Sequence, residues 1–453
     1  MLCWSAAHDR YRNPLRGPGR PSGHPRPGCR AALPGQGRVG DGPRAGRHRA
    51  GPCNPRRLRT GSGGPTGPCT VTLTNADIVD LTEFRHALHR RPEVSGHEVE
   101  TARSIAAAVA LWGPTEVLTG LGGHGVAAVY DSGKPGPVVM IRSELDALPI
   151  LELGEVPHRS EIPGKGHLCG HDGHSTILLG LARVLSRRPP GKGRVVLMFQ
   201  PAEEDGSGAA AVIADPTFAR IAPDWALSLH NMPGIALRQA WLAPGAANCA
   251  SLGLKIRLTG ATAHASLPET GRAPTPALAR LIDGLRAMGP GGAMEPGFRL
   301  ATITHLRMGE PAFGIAPGEA ELWVTLRGIS DGDLDSLLEQ AQTLARTEAA
   351  LAGLTAAFEI HDHFQACVND PDATAVLGRA LEATGIAYDA GDLPMRGSED
   401  FGRFGSAGAR SAMVLLGSGA DHPALHTQNY DFPDVLIAQG VALFDQAIRE
   451  LLG

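Results

Sequence analysis

From about residue 75 onward the apolar residues of the chain recur in two alternating rhythms. "NADIVDLTEFRHALHR" sets them at helical spacing behind an Asn expected to cap the helix, and "HEVETARSIAAAVALWG" repeats the pattern. "GVAAVYD" and "PVVMIRSELD" then read as strands, followed by a helix opening at His174 in "HSTILLGLARVLS", a strand in "GRVVLMFQPAEE" and another in "WALSLHN". These strands are continuous apolar runs rather than alternating ones, so both of their faces must be covered. The pattern predicts an α/β fold: a mostly parallel sheet with helices on both faces. Open sheets of that kind gather ligands at the carboxyl ends of their strands.

Between residues 251 and 364 the rhythm changes. Strand "SLGLKIRLTG", helix "TPALARLIDGLRAM", strands "FRLATITHLRM" and "EAELWVTLRGI", a long helix from "DLDSLLEQ" and strand "TAAFEIHDHF" follow in the order βαββαβ, a ferredoxin-like unit. It is expected as a separate domain inserted into the first. The first domain, residues 75–250, then resumes over 365–453 with helix "DATAVLGRALEAT", strand "SAMVLLGSG" and a last amphipathic helix from Val435 to Leu452. No internal repeat is visible.

Composition changes this picture at one end. Residues 1–70 hold thirteen Arg against two acids, and over a third of them are Gly or Pro, with no apolar period. Such a segment buries too little surface to fold. It is expected to be a disordered tail, or translated sequence upstream of the true start with Val71 as an alternative initiator. It lacks the apolar core of a secretory signal. Because the whole chain carries a net charge of -4, everything after this tail is acidic, which argues against nucleic acid and for a small substrate. No run is long and apolar enough for a membrane helix. Seven cysteines, scattered and odd in number, form no disulfide framework and suit a reducing cytoplasm.

The chemistry-bearing residues stand in loops after the strands. "HLCGHDGHST" places Cys169 and His171 two apart around a glycine, so that a tight turn can aim thiolate and imidazole at one point. Alone the pair does not define a metal site, because structural zinc sites usually cluster four Cys and His. A Cys-x-x-Cys redox motif is absent. "FQPAEED" sets Glu203 and Glu204 side by side, where one carboxylate can ligate and the other take a proton from water. "ALSLHN" ends in His230, and "HPALHTQNYDF" offers His422 and His426. One Cys, three His and one Glu give five donors, enough for two adjacent metals sharing a bridge.

Seven motifs in order, "IRSELDALPI", "CGHDGHST", "FQPAEEDGSGA", "LSLHNMPG", "GATAHASLPETG", "SEDFGRF" and "ALHTQNYDF", resemble the metal-dependent amidohydrolase branch of the aminoacylase/carboxypeptidase superfamily. That branch includes hippurate hydrolases and plant auxin-conjugate hydrolases. The resemblance covers about residues 75–453 and implies a catalytic domain interrupted by a lid that also dimerises. It implies that Cys169, His171, Glu204, His230 and His426 bind two divalent ions, Mn2+ or Zn2+, and that Glu203 is the general base. It further implies that His264 stabilises the oxyanion, often from the neighbouring subunit, and that Arg327 holds the substrate carboxylate. The alternative for Arg327 is a surface charge on an edge strand. Asn248 joins it as an expected substrate-binding residue, and Asp146 and Asp172 are expected to support the ligands from behind.

Where the family usually has an acidic "DxD" this chain reads "SELDALP", with Glu144 in place of an aspartate. Glu269 replaces a lid histidine, and Gly314 stands where relatives carry Asn. The implied activity is hydrolysis of the amide bond of an N-acyl amino acid by a homodimer joined through the lid, with a cytoplasmic location expected and no nucleic-acid or membrane partner. A dipeptidase or a diaminopimelate deacylase shares the fold, and a thiol-sensing metal protein would have no use for Glu203.

Overall fold

The computed structural model describes residues 73–453. The readings made for residues 1–70 therefore lie outside the described residues. The chain opens with helices α1 (Asn75–Arg90) and α2 (Val99–Ala110) and continues through strands β1 (Glu116–Leu121), β2 (Gly125–Asp131) and β3 (Val138–Glu144). Helix α3 (His171–Arg187), β4 (Arg194–Gln200), α4 (Gly208–Ala214), β5 (Trp225–Pro233), β6 (Gln239–Trp241) and β7 (Gly245–Asn248) follow. The cap of α1 is Thr74 rather than Asn75: its hydroxyl accepts from the Asp77 amide while the Asp77 carboxylate accepts from the Thr74 amide. Helix α3 begins at His171, one turn before the expected start, so His174 lies inside its first turn.

The inserted unit comprises β8 (Ala250–Thr259), β9 (Ala263–His264), α5 (Thr275–Met288), β10 (Arg299–Met308), β11 (Ile315–Ala316), β12 (Glu319–Gly328), α6 (Asp331–Leu351) and β13 (Thr355–Phe364). Its four long strands pair antiparallel in the order β10-β12-β8-β13, the ferredoxin-like arrangement. Leu252, Leu254, Ile256 and Leu258 alternate inward against α5 and α6, while Lys255 and Arg257 between them point to the open face. The chain returns through β14 (Cys367–Asn369), α7 (Pro371–Thr384), β15 (Ala387–Asp389), α8 (Gly402–Ser406), β16 (Arg410–Gly419) and α9 (Val435–Leu452).

The large sheet has eight strands in the order β1-β2-β4-β3-β5-β16-β6-β15. Its centre, β4-β3-β5-β16, is parallel, and antiparallel pairings lie toward the ends at β1-β2, β2-β4 and β16-β6. The continuous apolar runs are explained by two cores: Val139, Ile141, Val195 and Leu197 face α1, α3 and α9, while Met140, Val196 and Met198 face the opposite layer with Ala209 and Phe404. Four short strands, β6, β7, β14 and β15, and the polar β1 carry too little apolar signal to be read in advance. From β3 the chain moves to β4 on one side and later to β5 on the other. Their carboxyl-end loops therefore splay apart around β3, which is the crevice where such sheets bind ligands.

Candidate metal centre and substrate cavity

Cys169 and His171 flank a glycine that the turn requires. Gly170 sits at φ 99, and a Cβ there would lie 2.2 Å from the Asn231 side-chain oxygen and 2.9 Å from the Tyr430 hydroxyl. The turn delivers His171 as the first residue of α3, with Nδ1 donating to the Asp146 carbonyl at 2.9 Å and 3.3 Å from the Asp146 carboxylate. Its Nε2 is thereby aimed at Glu203 and Glu204, 3.9 Å from each. Asp146 also accepts from the Glu204 amide at 2.9 Å, so one buried carboxylate orients two ligand candidates.

Toward the end of β5, His230 donates from Nδ1 to the Asn231 carbonyl, which leaves Nε2 3.4 Å from the Cys169 sulfur. His426 arrives on the loop before α9 in the left-handed region, at φ 62, with Nε2 3.6 Å from Glu204. Among the described residues, five sets of donor atoms converge to within 4.8 Å of one another; Cys169/His171/His230, Cys169/Glu204/His426 and His171/Glu203/Glu204 combine the expected residues, and the other two are Glu144/His171/His174 and Glu203/Glu399/Asp400. Cys169 belongs to the first two, as a bridging ligand would.

The electrostatics fit a cation. Burial pushes the Cys169 thiol and the Glu203 carboxyl up, and Glu204 rises to about 7 for the same reason. Burial opposes charge on His171 as well, but the hydrogen bond to Asp146 and the surrounding carboxylates outweigh it and lift His171 to about 10. The field that draws a proton onto His171 would draw a divalent ion, and coordination would release protons from thiol and imidazole alike. Among the described residues, the buried His171 Nε2 and Glu204 Oε1 have no hydrogen-bond partner. A buried polar atom left bare is costly, and here both point into the ligand cluster.

These groups open on a cavity of about 470 Å³ that also takes in Arg327 and Asn248. Arg327 lies on β12, an interior strand of its sheet, which overturns the edge-strand alternative; Nη1 donates to Ser398 at 2.8 Å and to the Arg396 carbonyl at 3.1 Å. Met232, Met395, Met413, Leu415 and Phe364 form an apolar wall.

Other expected residues fall elsewhere. His264 is exposed on the inserted unit, its Nδ1 accepting from Ser266, and it does not line the cavity of its own chain. Asp172 faces away from the ligands, toward Arg85 and His89, at 3.0 and 2.9 Å, so it supports the helix rather than orienting a ligand directly. His422 donates to the Asp431 carbonyl instead of reaching the site. In contrast, His174 has both nitrogens occupied, by Glu144 and Asn231, at 2.6 Å each.

Sequence reading missed Arg142. This fully buried guanidinium pairs with Glu144, Glu399 and Asp400, and it compensates the carboxylates crowded beneath Glu203. Its signal was a pair of charges, Arg142 and Glu144, inside the otherwise uncharged strand "VVMIRSE". Removing one partner of such a cluster typically costs about 3–5 kcal/mol.

A family model described as "Peptidase family M20/M25/M40" matches residues 140–450. A hippurate hydrolase of Campylobacter jejuni is 28% identical over 374 residues, covering 81% of this chain and 96% of its own length. An IAA-amino acid hydrolase of Arabidopsis thaliana is 28% identical over 330 residues, 71% of this chain and 74% of its own. Among solved structures, a Bacillus subtilis protein described as a dinuclear metal-binding peptidase of family M20 superposes with a TM-score of 0.70 at 25% identity, covering 84% of this chain and 99% of that one.

Proposed function

From the premise that the chain belongs to the peptidase family M20/M25/M40, we propose that it hydrolyses the amide bond of an N-acyl amino acid, releasing a carboxylate and a free amino acid. The observation that carries this reading is one cavity holding two donor triads joined at Cys169, the buried Glu203 beside them, and Arg327. Two divalent ions, Mn2+ or Zn2+, held by Cys169, His171, Glu204, His230 and His426, would supply Lewis acidity and lower the pKa of water toward neutrality. Glu203, raised by burial and by Glu399 and Glu204, is basic enough to take a proton from water and return it to the leaving amine. Arg327 and Asn248 would receive the substrate carboxylate, and the methionine-lined wall would receive the acyl group. The two relatives above are both named for hydrolysing acylated amino acids or conjugates of that kind.

His264 would serve the site of a second copy, in a homodimer joined through the inserted unit, because in its own chain it stands outside the cavity. No helix among the described residues is long and apolar enough to cross a membrane. The test is a screen of N-acetyl, N-benzoyl and indole-acyl amino acids with and without chelator. Turnover should be chelator-sensitive; Glu203→Gln should keep its metal and lose turnover, whereas Glu204→Gln should lose metal too. Equal metal retention in both variants with activity intact would sink the assignment.

A further inference from the structure

His426 is carried by the loop between β16 and α9, and its left-handed backbone must be held from outside. Part of the restraint is local. The His426 amide donates to the Leu168 carbonyl at 2.8 Å, and the Gln428 carbonyl accepts from Leu153 and Gly154. The end of the loop is fixed by a different kind of contact. Arg85, on the buried face of α1, has no solvent exposure, yet its guanidinium meets three carboxylates. Nη1 is 2.9 Å from Asp431 and 3.0 Å from Asp172, and Nε is 2.5 Å from Asp434.

Asp431 and Asp434 close the His426 loop, and Asp172 is the neighbour of His171 in the first turn of α3. A single planar cation thus joins the two segments that carry opposite sides of the ligand cluster. His158 reinforces the join at 3.0 Å from Asp431, and His86 at 3.0 Å from Asp434. None of these six residues, Arg85, His86, His158, Asp172, Asp431 and Asp434, lines the cavity. A guanidinium can make such a join because its donors fan out in one plane, which the point charge of a lysine does not reproduce.

We propose that Arg85 is a positioning residue. Through Asp431 and Asp434 it sets the His426 loop against the Cys169–His171 turn, and so fixes the affinity for a cation on the Glu204/His426 side. The Cys169/His171/His230 side is carried by the Cys169 turn, α3 and β5, and none of its three side chains bonds to Asp431 or Asp434. The inference rests on the two-cation reading of the site.

The test is a Co2+ titration of the full chain against a competing chelator, with the visible spectrum reporting thiolate coordination, for wild type, Asp431→Asn and Asp77→Asn. Asp77 supplies the control, because it ties α1 to α3 through Arg187 at 2.7 Å and Arg183 at 3.1 Å without touching the loop. Asp431→Asn should weaken the second Co2+ by about 10–100-fold and leave the first unchanged. Asp77→Asn should lower the unfolding temperature and leave both affinities as they are. Should Asp431→Asn fail to fold, Asp434→Asn, at the more exposed end of the loop, carries the same expectation.

Wild-type affinities in the loop variant would overturn the inference, as would equal weakening of both ions. An Asp77→Asn protein that loses the second ion to the same extent would overturn it too, since general loosening would then suffice. A wild-type chain that binds only one Co2+ overturns the two-cation reading and this inference with it. Two tightly held ions with an indifferent loop variant overturn the inference alone.

Discussion

At Cys169 burial and charge oppose the form that a ligand needs. The thiol is buried beside Glu203, Glu204 and Glu144, all of which disfavour a thiolate, so this sulfur is a poor nucleophile and a poor redox sensor as it stands. A cation reverses the balance, because coordination replaces the proton and satisfies the neighbouring carboxylates as well. Arg327, proposed to receive the substrate carboxylate, is the complementary case. Its contacts with Ser398 and the Arg396 carbonyl hold the guanidinium at the cavity without neutralising it. A charge-assisted contact is worth about 1.5–3 kcal/mol, so Arg327→Met should raise KM by about 10–100-fold, with kcat much less affected. Steady-state kinetics decide it: a fall in kcat at constant KM would remove Arg327 from carboxylate binding.

Among the elements, α1 does more than cover the sheet. Its buried face carries Leu81 and Leu88, but also Arg85 and His89, two polar residues that meet the first turn of α3. His89 lies between Asp172 at 2.9 Å and Glu152 at 3.2 Å. Burial opposes its charge, yet Asp172 more than compensates and lifts His89 from 6.5 to about 9. A pKa raised by folding means that the folded chain holds the proton more tightly. The resulting stability is fully present below pH 6.5 and is lost as pH rises through about 9. The unfolding temperature should fall across that window, and His89→Gln should flatten the fall. A wild-type profile that is already flat, measured by circular dichroism on chelated protein, would refute this account of the α1–α3 contact.

At the scale of the whole molecule, the role proposed for His264 asks for a second copy of the chain. The cavity takes residues from both the large sheet and the inserted unit, including Arg327 and Phe364 from the latter, so movement of that unit would open and close it. His264 belongs to the same unit but remains exposed and outside the cavity. In the proposed dimer a second copy would offer it a place. The chain should therefore sediment as a dimer in analytical ultracentrifugation, and a monomer at all working concentrations would remove His264 from the reaction.

Hydrophobic periodicity alone determined the α/β architecture and the βαββαβ insertion, because strands buried on both faces and helices with one apolar stripe leave local marks. Residue type and motif order likewise brought forward Cys169, His171, Glu203, Glu204, His230 and His426, since few side chains can hold a divalent ion. Only the tertiary structure decided their partners. Arg85 with Asp431, 346 positions apart, and Arg142 with Asp400, 258 apart, meet through packing that no local pattern encodes. It also decided that Arg327 faces the cavity, that Asp172 turns to α1 and that His264 stands away from its own site. Direction and burial are set by how elements pack, and a side chain's chemistry is fixed only once its neighbours are.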